Sequence, residues 1–141
     1  MDEKVRLLAL KFRRALDMVA PAVWKDCLID SFPQGACGHA SELFARYLTQ
    51  ELGIEPTYAS GEIGHLLDGE AAKHAWLDHN GLVIDLTADQ FLLEPVIVSR
   101  SSHFHTAAVE VERHQILNDG WFAENAAPVW FAALVLLDQP L

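Results

Sequence analysis

Positively charged residues are scarce in this chain, which has ten lysines and arginines against twenty aspartates and glutamates and a formal net charge of −10. Binding of nucleic-acid phosphates or anionic lipid headgroups needs clusters of Lys or Arg. The basic residues that do cluster lie in the first predicted helix, where a solvent-exposed helix face accounts for them. We therefore expect neither a nucleic-acid partner nor a membrane partner.

Cysteine and long apolar runs are also scarce. The two cysteines, Cys27 and Cys37, argue for free thiols rather than a disulfide framework. The longest apolar stretch, residues 129–137, is far below the about 20 residues that span a bilayer. No basic segment followed by an apolar run opens the chain. These absences predict a cytoplasmic protein.

Repeats, low-complexity segments and dividing linkers are absent as well. The 141 residues are 51% hydrophobic, and a single domain of this size buries about 68–70% of its unfolded surface. Helical patterns come first and strand patterns later, which predicts an α+β fold. We expect one domain over residues 1–141, with N-terminal helices and with the helix after Cys37 packed on an antiparallel sheet.

The spacing of apolar residues predicts the main elements. Helices are expected over residues 2–20 and from Cys37 to a stop near Gly53. Strands are expected at 57–60, 96–98 and 109–116, and residues 128–137 fit either a buried strand or a short helix. Residues 61–72 contain three glycines and are predicted to form a flexible loop that gates the site.

Cys37 is the first candidate functional residue. It lies in the first turn of a predicted helix, where free backbone N–H groups and the helix dipole favour an anion such as a thiolate. The small residues Gly35, Ala36 and Gly38 leave room for a substrate backbone. The alternative is that Cys37 is a small buried hydrophobe, the role that we assign to Cys27.

His74 and Asp85 are the second and third candidates. Asn80-Gly81 is a strong signal for a two-residue hairpin turn, and with that turn His74, Trp76 and Asp85 lie on one face of the hairpin. Asp85 is then the diagonal neighbour of His74, and a buried carboxylate needs such a partner. The alternatives are that Asp85 caps a turn or pairs with a surface lysine, and that His74 binds a backbone carbonyl in the core.

These residues resemble the transglutaminase-like branch of the papain-like cysteine enzymes. The family pattern is a cysteine that opens a helix, a His-Ala-Trp strand and a strand that ends in Asp-x-Thr, here at Cys37, His74-Ala75-Trp76 and Asp85-Leu86-Thr87. The resemblance covers roughly residues 30–91. It implies a Cys37 nucleophile, a His74 general base and an orienting Asp85 that act on an amide or acyl carbonyl of a peptide or protein through a thioester, without a cofactor.

Further residues are candidates for substrate or oxyanion binding. The segment from Gln34 to Gly38 resembles the oxyanion segment of papain, which makes Gln34 a candidate oxyanion donor and Gly38 a candidate substrate contact. Trp76 is predicted to form a wall of the site beside His74, with plain core packing as the alternative. Asp89 and Gln90 follow Asp85 closely and are expected either to support the site or to cap the turn.

Metal binding and a non-catalytic role are the competing hypotheses. The chain has no zinc-finger spacing and no His-Glu-x-x-His motif, so no metal is predicted. His103 and His105 would share one face of a strand or belong to a polar loop. A binding or regulatory module with an acidic surface would keep the same fold without a reactive Cys37. The residues of ligand type are Cys37, His39, His65, His74, His79, His103 and His105.

Overall fold

The computed structural model describes residues 1–65, 71–115 and 119–138. Within these ranges it contains six α-helices, one 3₁₀ helix and five strands. The helices are α1 (Asp2–Met18), α2 (Pro21–Asp26), α3 (Cys37–Leu52), α4 (His103–Thr106), α5 (Asp119–Asn125) and α6 (Ala127–Leu137), and the 3₁₀ helix is Ala88–Phe91. The strands are β1 (Thr57–His65), β2 (Ala71–His79), β3 (Leu82–Asp85), β4 (Ile97–Ser99) and β5 (Val109–Gln115). The predicted α+β class is confirmed.

The five strands form one antiparallel sheet in the order β4-β3-β2-β1-β5. One face carries Leu77, Ile84 and Val98 into the large core that α1, α3 and α6 complete. The other face carries a smaller apolar cluster around Trp76. Alternation along the strands separates the two clusters, because successive side chains point to opposite faces. α3 packs against β2, as predicted for the helix that follows Cys37.

α3 begins at Cys37 and ends at Leu52, which confirms the predicted helix. Leu43, Phe44, Tyr47 and Leu48 of its apolar stripe are buried, and the ring of Phe12 from α1 stacks on that of Tyr47 at a centroid distance of 5.0 Å. Gly53 ends the helix in the left-handed conformation with φ 66°, which glycine adopts without the steric cost of a Cβ.

The β2–β3 hairpin has the predicted register. Leu77 pairs with Ile84 and His79 with Leu82, so Asn80-Gly81 is the two-residue turn. Both turn residues have positive φ, 51° at Asn80 and 85° at Gly81, as a type I′ turn requires. The predicted division of side chains between the two faces of the hairpin therefore holds.

The loop predicted for residues 61–72 is wrong in its described part, because β1 continues to His65 and β2 begins at Ala71. The register places Gly61 opposite His74 and Ile63 opposite Ala72. A Cβ at Gly61 would lie 3.0 Å from the Val109 carbonyl oxygen and from a Val111 methyl group. The glycine there permits the close approach of β5. Residues 66–70 lie outside the described ranges.

The strand considered for His103 and His105 is also wrong, since both residues belong to α4. The Ser102 hydroxyl caps this short helix by accepting the His105 N–H. Residues 127–137 form a helix rather than a strand, and the sequence analysis does not predict α2 or α5. Among the described residues, no helix is both long and apolar enough to cross a membrane.

Candidate active site

Cys37 occupies the first turn of α3, where its side chain is half-buried. The preceding residue, Ala36, is 0% exposed and has no side chain that could cap the helix. The Ala40 N–H donates the first intrahelical bond of this turn to the Ala36 carbonyl, at 2.8 Å. The N–H groups ahead of Ala40 therefore have no capping side chain and can donate to an anion.

Two long-range contacts hold the segments on either side of the site. The Gln90 amide donates from Nε2 to the Pro33 carbonyl at 2.8 Å, which joins the loop before Cys37 to the chain after Asp85. The expected solvent-exposed face of the first helix is wrong for Arg13, which is buried and binds both carboxylate oxygens of Asp89 at 2.8 Å through its guanidinium. Asp89 and Gln90 thus fix the backbone that carries the candidate residues.

His74 and Asp85 are brought together as the hairpin register requires. Nε2 of His74 lies 2.7 Å from Oδ2 of Asp85, and both residues are 1% exposed. A carboxylate can only accept, so Nε2 carries the proton of this bond. Of the alternatives, the turn cap is also present, because the Thr87 N–H donates to Oδ1 of Asp85. Neither a surface ion pair of Asp85 nor a backbone partner for the imidazole occurs among the described residues.

Asp85 accepts two further hydrogen bonds. Nε2 of His105 donates to the same Oδ2 at 2.7 Å, and the Thr87 N–H donates to Oδ1 at 2.9 Å. Burial opposes ionisation, but the hydrogen bonds from His105 and His74 outweigh it and lower the pKa of Asp85 to about 2. The carboxylate is therefore a buried anion held by three donors.

His105 is the residue that the sequence analysis did not assign to the site. It is 4% exposed, and its Nδ1 lies 2.6 Å from the Ser102 hydroxyl. Because a carboxylate can only accept, Nε2 of His105 carries the proton of its bond to Asp85. The available signal was Ser102, a residue type preferred at helix N-caps, which predicts the start of α4 but not the position of the imidazole. Its contact with Asp85 depends on how α4 folds onto the sheet.

The second ring nitrogen of His74, Nδ1, is buried and makes no directed hydrogen bond within the described residues. Burial disfavours the imidazolium, but the hydrogen bond to Asp85 and then the interaction with the Cys37 thiol outweigh burial and raise the pKa of His74 to about 9. This interaction indicates that the Cys37 thiol lies near His74, although Nδ1 has no hydrogen-bond partner among the described residues. Catalytic hydrogen bonds are often long or poorly aligned in active sites without substrate.

Aromatic side chains surround the His74 imidazole. The Phe91 ring meets it edge-on at 4.9 Å, and Trp76 lies at a centroid distance of 6.2 Å. Trp76 is 2% exposed and also contacts the His105 ring at 5.1 Å. Both expectations for Trp76 are met in part, because it belongs to the smaller apolar cluster and also lies against the two histidines. The aromatic rings exclude water from His74, which lowers the local dielectric constant and strengthens the hydrogen bonds to Asp85.

The candidate oxyanion residues are placed differently from one another. The Gln34 side chain is exposed and makes no hydrogen bond within the described part of the chain. Gly38 lies against Tyr58, whose hydroxyl would be 3.2 Å from a Cβ at that position. The sequence analysis does not single out Tyr58. Cys27 is 1% exposed and, as expected, belongs to the core, where burial raises the pKa of its thiol.

The residues of metal-ligand type do not gather into one cluster. His103 is exposed, and His39 lies half-buried against Trp121 at a ring distance of 5.1 Å. Among the described residues, one group has ligand atoms within 4.8 Å of one another, namely His74, Asp85 and His105. The His65 side chain lies outside the described part.

Comparison of this chain with protein-family models, with curated proteins and with solved structures finds no match. The function of the site therefore has to be argued from its own geometry and chemistry.

Proposed function

We propose that the chain is a thiol enzyme in which Cys37 is the nucleophile, His74 the general base and Asp85 the residue that orients the base. The observation that carries this proposal is the state of the His74 ring. Nε2 is bonded to Asp85 at 2.7 Å, whereas the buried Nδ1 has no directed partner among the described residues. A base whose far nitrogen is fixed and whose near nitrogen is open to a thiol is the arrangement that nucleophilic catalysis needs.

The raised pKa of His74 favours its imidazolium form. The Cys37 proton passes to Nδ1 of His74 before the attack, and the sulfur then attacks the carbonyl carbon of an amide. The tetrahedral intermediate breaks its C–N bond, and His74 returns the proton to the leaving amine. The product is a thioester on Cys37. Water or an amine then attacks that thioester, which gives hydrolysis or acyl transfer.

His105 and Ser102 act as positioning residues in this scheme. Asp85 accepts from both histidines at one oxygen, and Ser102 fixes the outer histidine at 2.6 Å. The carboxylate therefore cannot rotate away from His74 without breaking a second buried bond. By fixing Asp85 in this way, His105 and Ser102 keep the His74 imidazole in one tautomer and one orientation.

The substrate class proposed is a peptide or protein amide. The resemblance of the Cys37, His74-Ala75-Trp76 and Asp85-Leu86-Thr87 segments to transglutaminase-like enzymes supports this choice. Protease, amidase, deamidase and transglutaminase reactions share the first half-reaction and differ in what resolves the thioester.

The test uses p-nitrophenyl acetate as an acyl donor. The wild-type protein is expected to release one equivalent of nitrophenolate in a burst and to carry an acetyl group on Cys37, located by peptide mass spectrometry. Cys37→Ala should lose both, whereas Cys27→Ala should keep both because the Cys27 thiol is 1% exposed. Acetyl groups found only on lysines, with no burst, would favour a non-catalytic binding module.

A metal site is the second candidate, favoured by the grouping of His74, Asp85 and His105. The two 2.7 Å hydrogen bonds argue against it, because a zinc ion at about 2.0–2.1 Å from each nitrogen would have to replace both shared protons.

Thermal unfolding with zinc chloride and with EDTA separates the two candidates. If the cluster is held by hydrogen bonds alone, the melting temperature should be the same in zinc and in EDTA. If it binds a metal, zinc should raise the melting temperature of the wild type. Zinc should then also stabilise His79→Ala, a variant on the same sheet, but not His105→Ala.

A further inference from the structure

Tyr58 lies beside the first turn of α3. It belongs to β1, and its hydroxyl oxygen would be 3.2 Å from a Cβ built at Gly38, the residue after Cys37. The Tyr58 ring stacks on His114 of β5 at a centroid distance of 4.8 Å and an interplanar angle of 27°. The stacking on His114 supports the half-buried phenol beside the helix start.

The Tyr58 hydroxyl has no hydrogen-bond partner within the part of the chain that the structure describes. A hydroxyl that no neighbouring side chain engages can donate to a substrate group instead. The absence of a side chain at Gly38 is what allows the hydroxyl to approach the backbone there so closely. An acyl group on Cys37 would bring a carbonyl oxygen into this region.

Electrostatics keep this hydroxyl protonated. Burial, with smaller contributions from the neighbouring Cys37 and Glu42, raises the pKa of Tyr58 to about 12. The group is therefore a hydrogen-bond donor over the whole range in which a thiol enzyme works.

We propose that the Tyr58 hydroxyl donates a hydrogen bond to the substrate carbonyl oxygen as Cys37 attacks, and so stabilises the oxyanion of the tetrahedral intermediate. This inference rests on the proposed function. The uncapped N–H groups of the first turn of α3 supply the remaining donors. Tyr58 takes the role that the sequence suggested for Gln34, whose side chain is exposed and has no contact of this kind.

Two reagents test the proposal, because one forms an oxyanion and the other does not. Attack on p-nitrophenyl acetate passes through a tetrahedral oxyanion and releases nitrophenolate. Alkylation by iodoacetamide displaces iodide at a saturated carbon and forms none. In Tyr58→Phe, acetylation of Cys37 should slow by about tenfold, less than the full effect of a lost oxyanion donor because nitrophenolate leaves easily. Alkylation should change by less than about twofold.

The matched control is Tyr47→Phe, since Tyr47 is the other tyrosine and is 3% exposed in the core. It should leave both rates unchanged. Equal acetylation in wild type and Tyr58→Phe would overturn this inference and leave the proposed function standing. Equal slowing of acetylation and alkylation would also overturn it, because Tyr58 would then act on the thiol itself. A wild-type Cys37 that takes up no acetyl group would refute both proposals.

Discussion

His74→Ala is expected to slow the acetylation of Cys37 by p-nitrophenyl acetate by about a hundredfold, the low end of a general base's usual contribution. The same variant should slow alkylation by iodoacetamide at about pH 6 by about tenfold, since a free thiol is mostly protonated there. The alkylation difference should close near about pH 9, where a free, solvent-accessible thiol is largely ionised. This convergence separates loss of thiol activation from loss of access to the sulfur.

The measurement is mass spectrometry of both cysteines across a pH series. Cys27 is an internal control, because its 1% exposure predicts slow labelling in every variant with an intact fold. His79→Ala is the matched control variant, since His79 lies on β2 but only half-buried and outside the hydrogen-bonded cluster. Rapid labelling of Cys27 would indicate unfolding. Identical Cys37 rates in wild type and His74→Ala across the series would exclude the proposed base.

The His74–Asp85 contact was predictable because its determinants are local. A two-residue Asn-Gly turn sets the register, and the register then sets which side chains share a face. The structure adds the 2.7 Å bond and the 1% exposure of both groups. The start of α3 at Cys37 was local too, since it follows from the spacing of apolar residues after the cysteine.

The contacts of His105 and Tyr58 were not predictable in this way. His105 reaches Asp85 across twenty residues of chain because α4 folds over the smaller apolar cluster. Tyr58 meets Gly38 because β1 lies beside the helix start, which the apolar pattern of β1 does not encode. Such contacts depend on how elements dock, and docking is a property of the assembled core rather than of any one segment.

The glycine-rich segment after β1 illustrates a related limit. Gly61 suggested a flexible loop, yet it lies in a strand whose neighbour, β5, approaches to 3.0 Å of where a Cβ would be. Glycine is favoured both where the backbone bends and where another backbone comes close. The local sequence does not distinguish these two uses, and here the approach of β5 decides.

Asp85→Asn is expected to reduce the free energy of unfolding by about 3 kcal/mol near pH 5, because one substitution leaves two buried histidines without their anion. Asp30→Asn is the control, as Asp30 is exposed, and it should change stability by less than about 0.5 kcal/mol. Urea unfolding followed by tryptophan fluorescence measures both. A loss in Asp85→Asn no larger than that in Asp30→Asn would show that the buried carboxylate contributes nothing to the fold.

The pH dependence of this loss identifies its origin. The pKa of Asp85 falls from its usual 3.8 to about 2 on folding, so its contribution is present above about pH 4 and is lost as pH falls toward 2. The pKa of His74 rises from 6.5 to about 9, so that contribution is complete below about pH 6.5 and is lost as pH rises through 9. Both shifts describe largely one interaction and are not additive.

The stability difference between wild type and Asp85→Asn should therefore be greatest between about pH 4 and 6.5 and shrink on both sides. A difference that stays constant with pH would mean that Asp85→Asn acts through packing rather than through the charge that orients His74.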